Sequence, residues 1–106
     1  MKIKYDAEIQ NAAIYTNLQR MINQIYKLLP VREEGLDWKK PLQSIIEELA
    51  GMHNLCLVQA YHEALFSLLC KLEGLFTLVQ EEDFFLFRKV VFESITLVNT
   101  LKELCQ

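Results

Sequence analysis

Three sets of residues in this sequence are of types that do chemistry. The first is a group of carboxylates: Glu47, Glu48, Glu63, and Glu82 within the run Glu81-Glu82-Asp83. On facing helices such acids could hold magnesium beside a phosphate, the arrangement of a metal-dependent nucleotide hydrolase of all-α type. The spacing argues against it. Hydrolases of that kind use an E-x-x-E pair followed by an E-x-x-D pair, whereas here Glu47 and Glu48 are adjacent. Glu63 is followed three residues on by Phe66, and no E-x-x-D comes after it.

The second set is His53 and His62 with Cys56, Cys70 and Cys105. A di-iron bundle needs Glu-x-x-His pairs on two helices. No glutamate precedes His53 at that spacing, and position 59, three before His62, is glutamine. The cysteines show no C-x-x-C spacing, so zinc is equally poorly served, and they read as small core or boundary residues. Neither a metal nor a cofactor is expected. The third set, Ser44, Ser67 and Ser94, falls inside helical patterns without a recognisable base. Gly35, Gly51 and Gly74 are isolated, so no phosphate-cradling loop can form. The chain reads as non-enzymatic.

The elements that must carry these residues are helices. Apolar residues make up 52% of the chain, while 106 residues include only 3 Gly and 2 Pro. So few turn-formers leave little room for a sandwich of many loops. In the first stripe, Ile14, Leu18, Met21, Ile22, Ile25, Leu28 and Leu29 recur at three- and four-residue steps. Asp6 suits its cap, and Pro30 its end. A second stripe runs from Leu42 to Met52 and a third from Val58 through Leu75 to Val79, with Gly51 and His53-Asn54 in the phase slip between them. Gly74, with Thr77 to Gln80 as a capping box, offers a competing end for the third helix. The cluster 80–83 is preferred because the stripe runs on. The spacing therefore predicts an all-α, up-down four-helix bundle with helices over about 6–29, 41–52, 55–79 and 83–105, forming one domain over 1–106.

With 11 Lys+Arg against 14 Asp+Glu the net charge is −3. The cations are scattered, with Lys39-Lys40 and Arg88-Lys89 the only adjacent pairs, so a nucleic-acid partner is not expected. No stretch of about 18 uninterrupted apolar residues exists to span a membrane. Three cysteines and an N-terminus that turns acidic at Asp6 point to a cytoplasmic rather than a disulfide-stapled, exported protein.

Two features stand out against this frame. The loop 30–40 packs Arg32, Glu33, Glu34, Asp37, Lys39 and Lys40 around the single tryptophan, Trp38. Trp38, with Arg32 and Asp37 beside it, could anchor a partner, because a tryptophan buries much area at low entropic cost. Alternatively Trp38 folds back to plug the bundle end, with Asp37 capping the second helix. Two polar residues also lie on apolar stripes. Asn11 is either a register-setting buried amide or part of a frayed end, and His62 is a boundary residue with a satisfied hydrogen bond.

The fourth helix carries the strongest inference. Leu86, Phe87, Val90, Val91, Leu97, Val98, Leu101 and Leu104 cover roughly half of its circumference at 100° per residue. Phe85 and Phe92 lie outside that arc, one heptad apart, and Phe66 and Cys70 are similarly offset on the third helix. Apolar residues on a second face imply contact with something else. The expectation is a two-fold homodimer using Phe66, Phe85 and Phe92, with Phe92→Asp giving a folded monomer. The alternative is a wide bundle that swallows the rings. In size and class the chain suits a small regulator, inhibitor or immunity-type protein acting by protein–protein interaction.

Overall fold

A computed structural model describes residues 11–56 and 58–104. The Asp6 cap, the Asn11 side chain and Cys105 lie outside the described residues. Among the described residues four helices follow in order: α1 (Asn11–Glu33), α2 (Lys39–Leu55), α3 (Gln59–Gly74) and α4 (Phe84–Leu104). Short 3-10 turns at Leu75–Thr77 and Glu81–Asp83 join α3 to α4. Each helix packs against its neighbours in the chain, and α1 closes the ring against α4. This is the expected up-down bundle. Its core is built from the stripes read in the sequence: Leu18, Met21 and Ile25 of α1, Leu42 and Leu49 of α2, Leu65 and Leu68 of α3, and Phe87 and Val98 of α4 are all buried. The Tyr61 hydroxyl donates to the Leu104 carbonyl at 2.5 Å, tying the start of α3 to the end of α4.

The boundaries differ from expectation at three places, each with a physical cause. First, the loop 30–40 shrinks to 34–38, because Pro30 sits inside α1 rather than ending it. Leu28 and Leu29 before it are buried, and Val31 after it packs on the core. That apolar contact outweighs the one helical bond the proline cannot donate. The stop signal is Gly35, with φ +76°. Its N–H bonds the Arg32 carbonyl at 3.0 Å, and the Leu36 N–H bonds the Val31 carbonyl at 3.0 Å. This is a Schellman ending, with Leu36 and Val31 in its paired apolar positions. Pro30→Ala is therefore expected to stabilise the protein by about 1–3 kcal/mol, since a new N–H can reach the Tyr26 carbonyl. A urea midpoint unchanged or lower in that variant would show that the proline is needed where it stands.

Second, Gly51, His53 and Asn54 belong to α2, which runs on to Leu55, and α3 begins at Gln59. Third, α3 ends at Gly74, not at Val79. The competing end at Gly74 is the one used, but without a Thr77 to Gln80 capping box: the Thr77 hydroxyl donates to the Gly74 carbonyl at 2.8 Å, and the box forms between Gln80 and Asp83. Leu75 remains buried from its 3-10 turn, while Val79 is exposed. The acidic cluster still opens α4, where the Gln80 N–H bonds Asp83 Oδ2 at 3.2 Å.

Candidate interaction surface

The carboxylates of the hydrolase pattern are not brought together. Glu48 pairs with Arg20 across α1 and α2. Glu47 accepts from Gln43 at 3.4 Å and Glu63 from Gln59 at 2.8 Å, each along its own helix. Glu82 stands on the 3-10 turn before α4. Among the described residues no three His, Cys, Asp or Glu side chains form a group able to hold a metal. Ser94 is fully buried and its hydroxyl donates to the Val90 carbonyl at 2.8 Å. Cys56 is buried, but Cys70 is exposed rather than a core or boundary residue. What His62 meets is the His53 ring, tilted by 32° with centroids 3.8 Å apart; no described partner takes His53 Nε2.

The Trp38 loop turns inward. Trp38 is buried at the bundle end, its ring stacked on Phe76 at 6.3 Å and edge-on to Phe87 at 4.9 Å. The Arg32 guanidinium lies 4.4 Å from the Phe87 centroid and 5.4 Å from that of Trp38. It donates to the carbonyls of Leu78 and Gln80, the latter at 2.7 Å. Burial holds this guanidinium below its ordinary pKa, and Asp83 pulls the other way. Asp37 Oδ1 accepts from the N–H groups of Lys39 and Lys40 at 3.0 and 3.3 Å, capping α2. Of the candidate interface residues, Trp38, Arg32 and Asp37 are thus engaged within the bundle. The plugging alternative describes Trp38 and Asp37, while the contacts of Arg32 belong to neither reading.

The phenylalanines do face outward. Phe85 is 80% exposed, Phe66 58% and Phe92 41%. They form two surfaces, not one. Phe66 lies by the α2–α3 seam, 6.0 Å from the His53 ring. Phe92 lies on the α1–α4 seam, edge-on to Tyr26 at 6.2 Å, with the Arg88 guanidinium 5.6 Å from its centroid. Phe85, Arg88, Lys89 and Phe92 line one hollow of about 250 Å³. A second, of about 430 Å³, runs from Phe92 to Ile22 and Tyr26 of α1. The ring of helices puts these two seams on opposite sides of the bundle, so the single patch expected from the sequence is divided. Leu86 and Leu104, assigned to the buried arc of α4, are both exposed. The residue missed in the sequence is Tyr26, which is 53% exposed. Its signal was available: it follows Ile25 directly and falls off the α1 stripe.

Comparison with known protein families, curated proteins and solved structures finds no match to this chain.

Proposed function

We propose that this chain is a non-enzymatic binding protein and that its working surface is the aromatic face along α1 and α4. One observation carries the reading: Phe85, Phe92 and Tyr26 are exposed together beside open hollows. Exposed aromatic clusters of this kind are costly to leave in water and serve as anchors for a partner. A small regulator, inhibitor or immunity-type protein would work through such a face. The homodimer expected from the sequence has two separate places to form, around Phe92 and around Phe66.

Phe92→Asp is expected to fold, at a cost of about 1 kcal/mol, because the ring is only partly covered and loses one aromatic pair. Light scattering on Phe92→Asp and Phe66→Asp then identifies the face on which any dimer depends. The decisive test is a photo-crosslinking residue at position 85 in living cells. Protein adducts should form there and disappear with Phe92→Asp. Adducts no more abundant than from exposed Gln43, on α2 and away from this face, would remove the reading. A nucleotide panel with magnesium is expected to show no turnover. Turnover lost in Glu48→Gln would restore the hydrolase.

A further inference from the structure

We infer that the α1–α4 face takes an acidic amphipathic helix of another protein, and not a second copy of this chain; the inference rests on the binding reading above. Lys27, Arg88 and Lys89 line the hollows around Phe92. None of the three has an ion-pair partner among the described residues. The acids nearby offset them only in part, and Lys89 stands one turn before Glu93. Glu93 is taken by Lys71 at 2.6 Å, which holds its carboxyl below the ordinary pKa, with Lys89 adding in the same direction. Glu33 lines an adjoining hollow with Arg88 but forms no ion pair among the described residues. In a chain of net charge −3, three cations and one acid, Glu33, line the hollows around Phe92.

The spacing on α4 decides against self-docking. Phe85 and Phe92 are seven residues apart, about 10.5 Å along the axis at 1.5 Å per residue. An antiparallel two-fold that pairs Phe85 with Phe92 must pass between them, at Arg88 and Lys89. It would bring Arg88 and Lys89 of each copy together. A two-fold at Phe92 instead sets Phe85 opposite exposed Asn99, leaving the most exposed ring unpaired. A parallel two-fold sets Arg88 against its own copy. Like charges so juxtaposed reject a partner. A partner helix with apolar residues at i, i+3 or i+4, and i+7 matches the span from Phe85 to Phe92. Aspartates and glutamates flanking that stripe would face Lys27, Arg88 and Lys89. Apolar matching and charge complementarity then point to the same occupant.

The test selects binders to the whole protein from a displayed library of helical peptides. Their apolar stripe is fixed and their flanks are randomised among acidic, basic and neutral residues. The enriched peptides should be acidic, bind less tightly as salt rises, and lose about tenfold or more in affinity against Arg88→Glu. They should also be lost with Phe85→Ser, a change at an 80% exposed position where folding is not at stake. Light scattering of the protein alone should show no dimer that depends on Phe92. Neutral or basic winners, no winners, or acidic winners indifferent to Arg88→Glu would each overturn the inference. A dimer abolished by Phe92→Asp would also overturn it, while leaving the binding reading intact. Peptides indifferent to Phe85→Ser, Phe92→Asp and Arg88→Glu alike would remove both.

Discussion

Trp38→Ala is expected to cost about 3–5 kcal/mol, a large part of the roughly 5–15 kcal/mol that holds a domain of this size folded. The indole is 9% exposed and fills the bundle end between Phe76 and Phe87. Truncation removes its transfer energy, leaves a cavity that helix ends cannot close, and deletes an aromatic pair with favourable edge-on geometry. At about 4–8 °C per kcal/mol the melting midpoint should fall by roughly 12 °C or more. Trp38→Phe should recover more than half of the loss, because a smaller ring can still meet Phe87. Since Trp38 is the only tryptophan, its emission reports directly on the site. A blue-shifted native spectrum that moves red in the same transition as the helical signal is the expected result. A loss below about 1 kcal/mol in Trp38→Ala would return Trp38 to the surface as a partner anchor.

Arg32→Met is expected to cost about 2–3 kcal/mol, and Arg32→Lys should restore less than half of it. The guanidinium joins three elements: it leaves the last turn of α1, takes the carbonyls of Leu78 and Gln80, and covers the Phe87 ring. Hydrogen bonds from a charged donor contribute about 1.5–3 kcal/mol, and a cation over a partly desolvated ring adds about 0.5–2 kcal/mol. Ordering the long side chain offsets part of the sum. Lysine carries the charge but not the planar fork, so one ammonium cannot serve two carbonyls while lying flat on an aromatic face. Urea titration of the three proteins checks this. Full rescue by lysine would mean that charge at the α1 C-terminus, and not the fork, accounts for the effect.

The bundle itself was legible because helix periodicity is a local property. Ile14, Leu18, Met21 and Ile25 recur at the helical step, and the same residues are buried. The α4 start at the acidic cluster was likewise readable from residue type. Pro30 and Gly74 were misread because a breaker's effect depends on what surrounds it. Pro30 is carried through by buried neighbours, whereas Leu75 keeps its burial in a 3-10 turn after α3 has ended at Gly74. Gly35 could have been read as the α1 ending from its type alone, had Pro30 not claimed that role first.

The candidate surface shows the same division. Sequence was enough to place Phe85, Phe92 and Phe66 off their stripes, since each angle is set by the helical step within its own helix. It could not tell that Phe92 shares a seam with Tyr26 while Phe66 shares one with His53, because that requires knowing which helices are neighbours. Nor could it reveal that Arg32 is consumed by carbonyls 46 and 48 residues away. The sequence by itself determined the number of helices, their buried stripes and the rings left outside them. Only the tertiary structure decided which of those rings meet and which charges are left unpaired, because both depend on contacts between residues far apart in the chain.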